Sequence, residues 1–398
     1  MKQKDTLGLS VGGLLAMAAG MGVGRFVYTP ILPAMIGALE WSKLDAGLVA
    51  SANFLGYMIG AFVVGRPVFA ASPRAWLLAA LAASTATTAG MALSGSLHLL
   101  LALRFVAGIA SAFVIICSST LVLDRLAAAG RSGLAAVHFA GVGVGIIASA
   151  IIVSSLNEQG VGWRSLWLAS GLAAALAGLA AAALIPETQG SAASPRPKEP
   201  PSARAALTGL AAAHGLFGFG YVITATFLVT IVRETAAIRP LEPWIWVLVG
   251  VATIPSVPLW QRLGQRIGLL NAYAVACLLE AVGVAFSVEW GSITGIVVSA
   301  VLLGGTFMGL TALGLMSARE LSGSRPQWAI GLTTASFGLG QMIGPTTAGI
   351  LYEFTGSLRA ASLLAALALI IAAFLTFTTS IIHARRSPAS AEQPGRLS

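Results

Sequence analysis

The stretch LGLSVGGLLAMAAGMGVGRFVYTPILPAMIGA, residues 7–38, decides how the chain is read. It holds 32 residues (38 − 7 + 1 = 32), with Arg25 as its one charged side chain. A helix crosses a bilayer with about 20 largely apolar residues. A soluble helix of this length would carry a polar stripe toward water, whereas this run is interrupted mainly by glycine and proline.

Eleven further stretches read the same way: 44–64, 75–93, 97–123, 133–156, 163–184, 205–232, 243–260, 269–288, 293–316, 328–352 and 358–382. The expectation is an all-α membrane protein of twelve transmembrane helices. Composition agrees, since 57% of the 398 residues are hydrophobic and 9% charged, against roughly 25% charged in soluble chains. So few charges cannot solvate a globular surface, which argues against a soluble enzyme. The apolar run after Lys4 continues past Met35 without a small-residue cleavage site, so the first segment is expected to be retained.

Of the 23 Lys and Arg residues, Lys43, Arg164, Arg233, Arg239 and Arg359 fall in connections on one side, sixteen on the other, and Arg25 and Arg104 within spans (16 + 5 + 2 = 23). The positive-inside rule then predicts an even number of spans with both termini in the cytoplasm. The net charge of +9 is explained by this topology, and the scattered basic residues do not suggest nucleic acid. Cys117 and Cys277 lie in apolar runs without metal-ligand spacing, so no metal, disulfide or cofactor is expected.

Residues 186–204, rich in Pro, Ser, Ala and charge, read as a cytoplasmic linker between bundles at 1–185 and 205–398. The halves repeat. Gly22, Gly24 and Leu32 recur 196 positions later (218 − 22 = 196) as Gly218, Gly220 and Leu228, and Phe139 is matched by Phe337 (337 − 139 = 198). Such same-direction similarity is what parallel repeats about an axis along the membrane normal leave behind.

Five segments carry a family likeness: GMGVGRFVYTPILPAM (20–35), NFLGYMIGA (53–61), GFGYVITATFL (218–228), LLGGTFMGLTALGL (302–315) and FGLGQMIGP (337–345). Together they resemble the YbfB/YjiJ-like branch of the major facilitator superfamily, bacterial transporters, over nearly the whole chain. The resemblance implies two pseudo-symmetric six-helix bundles around a cavity that opens alternately to each side, lined by the first, fourth, seventh and tenth helices. Arg104 and Gly108 match the fourth-helix pattern Arg-x-x-x-Gly. The loop GRPVFAASPR (65–74) departs from the superfamily's Gly-x-x-x-Asp-Arg pattern by lacking the Asp, and residues 261–268 carry Arg262 and Arg266 without an acid.

Arg25 and Arg104 are the charges to explain. An intramembrane arginine is functional by default, and guanidinium grips a carboxylate bidentately. Arg25 either faces the cavity as an anion site, or snorkels to the interface or pins a carbonyl. Arg104, at similar depth, either joins it or bonds carbonyls of a neighbouring helix. Tyr28, Asn53, Tyr57, Tyr221, Thr226, Thr306 and Gln341 are candidates for directional hydrogen bonds to substrate. Asn53 and Gln341 have the bland alternative of bonding between helices.

Glu280 is the acid inside a span and one candidate for proton coupling. The resemblance places its helix, the ninth, outside the cavity, so a supporting role is expected first. His138 and His214 are the other coupling candidates. His138 also counts toward substrate because its repeat position, Ser336, is polar (336 − 138 = 198). The glycine clusters lie in apolar spans without a P-loop lysine, so they read as helix contacts rather than phosphate loops.

The function expected is a gradient-driven transporter, monomeric, moving a small organic anion such as a carboxylate with protons. The alternative is a proton-driven drug or sugar exporter with structural arginines.

Overall fold

The computed structural model describes residues 3–64, 66–70, 72–187, 204–322 and 326–386, and these residues are helical with no strands. The first half comprises α1 (Gln3–Met17), α2 (Tyr28–Leu39), α3 (Lys43–Val64), a short α4 (Pro67–Ala70), α5 (Pro73–Gly90), α6 (Leu97–Ala128), α7 (Ala135–Glu158) and α8 (Trp163–Leu184). The second comprises α9 (Arg204–Glu234), α10 (Glu242–Ile267), α11 (Leu269–Glu289), α12 (Ile293–Leu321), α13 (Pro326–Thr355) and α14 (Arg359–Arg386). Most of the expected linker, 188–203, lies outside the described residues.

Among the described residues, ten helices are long and apolar enough to cross a membrane, with α1 and α2 counted as one span over Thr6–Leu39. The sequence led to an expectation of twelve. The two that fall short are α5, diluted by Ser84, Thr85, Thr87 and Thr88, and α13, diluted by a run of polar residues that includes Thr333, Thr334, Ser336 and Gln341. In a packed bundle such side chains bond to backbone one turn away: Thr88 Oγ1 donates to Ser84 O at 2.7 Å and Thr87 Oγ1 to Ala83 O at 2.7 Å.

Glycine sets the closest helix crossings. A Cβ on Gly108 of α6 would sit 2.0 Å from Asn53 O, and one on Gly56 of α3 would sit 1.9 Å from Phe105 O, so these two helices touch backbone to backbone. In the first half, α1 packs against α6, α7 and α8, α3 against α6, and α5 against α6 and α8. In the second, α9 packs against α13 and α14, α11 against α12 and α14, and α10 against α12. The halves meet along α3 with α13, α7 with α10 and α2 with α9.

Each long helix reverses the previous one, so the bundle has a terminal face, bearing Gln3, Leu184, Arg204 and Arg386, and a far face, bearing Lys43, Glu158, Glu234 and Glu289. The ties between halves begin at the far face. Lys43 forms an ion pair with Glu234 and lies 5.4 Å from the Tyr352 ring centroid. Ser51 Oγ and Thr346 Oγ1 share a hydrogen bond of 2.8 Å, and Ser154 Oγ donates to Pro243 O at 3.1 Å. Along α3 and α13 close packing continues to Met58 against Gly338, 15 residues beyond Lys43 (58 − 43 = 15), or roughly 22 Å. Thr29 Oγ1 of α2 donates to Ala225 O of α9 at 2.7 Å, and these two residues are repeat counterparts (225 − 29 = 196).

Candidate substrate site at the broken first helix

The first span does not run as one α-helix. After Met17 it widens into a π-helical turn over Ala18–Val23, loosens through 24–27, and resumes as α2. The register slip is visible in Gly24 N, which bonds Ala19 O at 2.8 Å, and Phe26 N, which bonds Met21 O at 3.2 Å, both i to i−5. Its causes are in the sequence. Pro30 has no N–H to offer Phe26 O, and Gly22 gives up its side chain to pass α7, where a Cβ would stand 2.4 Å from Gly145 Cα. π-Bulges of this kind recur at functional sites.

The break frees carbonyls, and Arg104 takes them. Its Nη1 donates to Gly24 O at 3.0 Å and its Nη2 to Arg25 O at 2.9 Å, while its Cζ lies 5.2 Å from the Tyr28 ring centroid. Asn53 Nδ2 in turn donates to Arg104 O at 2.9 Å, and Tyr28 Oη to Ala46 O at 2.8 Å. Arg104, Asn53 and Tyr28 thus form one lattice that holds the loosened turn against α3 and α6. Of the two roles open to Arg104, the carbonyl-bonding one is what the geometry displays.

Arg25 is different. It is 4% exposed, and its Nε and Nη2 have no hydrogen-bond partner. Aromatic faces surround the cation, with Cζ 4.3 Å from the Tyr57 centroid, 4.8 Å from Phe54 and 5.5 Å from Phe26. Such contacts are worth up to about 2 kcal/mol each when desolvated, but they leave the N–H fork unfilled. The anchor is built; the acceptor is missing.

Across the junction stands the repeat counterpart of Arg25, Tyr221 on α9, within electrostatic reach of Arg25, Tyr57 and Glu280. Its hydroxyl receives a hydrogen bond from Gln341 Nε2 of α13, and Gln341 Oε1 is left without a donor. The Tyr221 ring stacks on Phe217 at 5.0 Å, Phe307 at 5.8 Å and Phe337 at 5.9 Å. Phe307 also meets Phe26 edge-on at 5.7 Å, across the two halves.

Glu280 is fully buried on α11, beside Thr306 of α12 and within electrostatic reach of Tyr221. Neither carboxylate oxygen has a partner of hydrogen-bonding geometry, because the Thr306 hydroxyl is already given to Leu302 O at 2.6 Å. Glu280, Cys277 and Tyr273 stand at i, i−3 and i−7 on one face of α11. Tyr273 Oη closes on His214 Nδ1 at 2.9 Å.

His138 is remote from this group. It bonds Ser119 Oγ at 3.2 Å through Nε2 and fills the space over Gly13, where a Cβ would lie 2.5 Å from its Nδ1. Thr226 is buried on α9 one residue beyond the Thr29 tie. The structure therefore brings Arg25, Tyr57, Tyr221, Gln341, Thr306 and Glu280 into one neighbourhood, keeps Tyr28, Asn53 and Arg104 as its scaffold, and leaves His138 outside.

Sequence reasoning passed over Phe26, Phe54, Trp246 and Phe307, the rings that shape the centre. Phe26 and Phe54 lie inside the family segments, but a lone aromatic in an apolar span carries no signal without its partner. It also passed over the Lys43 and Glu234 pair, separated by 191 positions.

Among the described residues the structure is a bundle of long helices, ten of them long and apolar enough to cross a membrane, tied across its halves at one face and holding a buried cation near the junction. The chain belongs to the family described as "Uncharacterised MFS-type transporter YbfB", whose model matches residues 17–377. It is accordingly a transporter of the major facilitator superfamily and not an enzyme.

Two proteins from strains of Mycobacterium tuberculosis, each named as a chloramphenicol efflux pump, are 31% identical over 144 residues, 34% of this chain and 34% of each relative. The match thus spans about a third of the length of those curated relatives. Among solved structures, a point mutant of the nucleoside transporter NupG superposes with a TM-score of 0.74 at 14% identity, covering 94% of this chain and 99% of that one. A bacterial homologue of the lysosomal transporter Spinster, solved inward-facing and unoccupied, gives 0.70 at 15% identity over 98% and 100%. At these identities the likeness is one of fold.

Proposed function

We propose that the chain is a twelve-span secondary transporter of two six-helix bundles, 1–185 and 205–398, that moves a small organic anion across the bacterial inner membrane as a monomer with both termini cytoplasmic. The observation that carries the substrate reading is Arg25: a buried guanidinium near the junction of the halves, with Nε and Nη2 unpartnered and aromatic faces where a carboxylate would otherwise be. A bound carboxylate supplies the missing acceptor, and low dielectric strengthens the pair. Arg104 is left out of the substrate contacts and holds the turn on which Arg25 rides.

The far-face ties support a state closed on the periplasmic side, so the anion would meet Arg25 from the cytoplasmic side in this conformation. Proton coupling is assigned to Glu280, whose unpartnered oxygens lie near Tyr221. From the other elements packed on α11, the titratable groups facing this region are Tyr221 and His214 of α9, while the buried stretches of α10, α12 and α14 bring none.

Proteoliposomes with an imposed pH gradient test the reading. Uptake of small carboxylates is expected to follow the gradient in the parent protein, to be lost in Arg25→Ala, and to lose its gradient dependence while keeping substrate binding in Glu280→Gln. Thermal stabilisation of the purified protein by cations alone would overturn the anion reading. Efflux of a neutral compound is the second reading, favoured by the identity with the two proteins named as chloramphenicol efflux pumps. In that case Arg25→Ala leaves transport intact.

A further inference from the structure

Beside Arg25, four rings from four different helical segments close on one slot: Phe26 from the broken turn, Tyr221 from α9, Trp246 from α10 and Phe307 from α12. Aliphatic Ile146, Ala225, Val249 and Leu303 complete its wall. The slot is closed in this conformation: no water-sized sphere fits among these side chains, so a ligand enters only as the rings part. Trp246 is 2% exposed, and its indole Nε1, a donor with no other role, has no partner. A buried N–H left empty is costly unless something accepts from it in another state.

We infer that this slot takes the ring of a monocyclic aromatic carboxylate, with the carboxylate on the Arg25 fork and Trp246 Nε1 donating to a polar substituent or carboxylate oxygen. The inference rests on the reading of Arg25 as an anion site and adds the chemical class of the anion. Ring stacking supplies the discrimination: Tyr221 and Phe307 already lie nearly parallel, 7° between planes, and an inserted aromatic ring is held by the same offset geometry. The slot opens only if Phe26 parts from Phe307, and these rings belong to opposite halves. Seating the substrate is thereby tied to relative movement of the halves.

Isothermal titration of the full-length protein in detergent tests this with benzoate and phenylacetate against cyclohexanecarboxylate, benzamide and benzylamine. Benzoate or phenylacetate is expected to bind at least about ten-fold more tightly than cyclohexanecarboxylate, with benzamide and benzylamine weaker still. Phe307→Leu should bring the aromatic and alicyclic acids within about two-fold of each other, and Trp246→Phe should weaken the aromatic acids several-fold while keeping the ring. If Phe307→Leu is not monodisperse, Phe26→Leu serves the same purpose. Equal affinity for benzoate and cyclohexanecarboxylate overturns the aromatic assignment and leaves the anion reading standing. Benzamide binding as tightly as benzoate, or no binding by any of the acids, overturns both.

Discussion

The first span and α9 are repeat counterparts, and they solve the same crossing differently. α9 runs unbroken for 31 residues, whereas the first span breaks between Met17 and Tyr28. At the repeat offset, Pro30 and Pro33 correspond to Thr226 and Val229 (30 + 196 = 226, 33 + 196 = 229). Two prolines in place of ordinary residues weaken the helix in the first half; Thr29 N turns to Phe26 O at 3.3 Å, and Arg104 takes the Gly24 and Arg25 carbonyls left open. The stretch 293–318 of α12 has no Lys or Arg, and α9 does not need one. What differs between the halves is therefore a coupled pair of features: a break and the cation that holds it. The positions that correspond at the centre, Arg25 and Tyr221, inherit opposite duties, one charged and unfilled, the other neutral and bonded.

Arg104→Ala should be the most damaging test of that comparison, because it leaves two buried carbonyls without donors. A loss of about 3–5 kcal/mol is expected, read as a lower unfolding midpoint in detergent. Arg104→Lys should recover less than half, since a point charge does not span both acceptors. An unchanged midpoint would mean that the fork does not hold the break. Thr226→Pro transplants the break into α9, where no cation waits, and should cost about 3 kcal/mol on the same assay.

Removing Arg25 itself, as Arg25→Ala, is expected to weaken carboxylate binding by about 30-fold or more while the midpoint moves little. Repairing the first span with Pro30→Thr and Pro33→Val should raise amide-exchange protection across 26–33 and slow transport; unchanged exchange there would show that the glycines alone make the break. The smallest effect belongs to Tyr221→Phe, which removes the hydroxyl that Gln341 bonds and should cost about five-fold in affinity.

Much of the scaffold was legible from residues alone. Apolar runs locate the helices, and the 196-residue offset pairs Arg25 with Tyr221. The count of clearly apolar spans was not, because α5 and α13 carry hydroxyls and amides whose bonding within the bundle no hydropathy pattern reveals. Arg25 and Arg104 look alike in sequence, each an isolated arginine in an apolar span, and their difference depends on where a neighbouring helix comes apart. Glu280 shows the same gap. The resemblance places its helix away from the cavity, yet its carboxyl lies within electrostatic reach of Tyr221, which helix order cannot say. His138, favoured for its polar repeat position, proved to be packed on Gly13.

The hydrogen bond from Thr29 to Ala225 joins two residues at the 196-residue repeat offset (225 − 29 = 196), so each half brings the same position of its first helix to the junction. At a given depth, the points nearest the junction travel least when the two halves tilt against each other, and this bond is placed there. Arg25 stands four residues from it (29 − 25 = 4), about one turn, so a tilt of the halves displaces its backbone less than that of residues far from the junction.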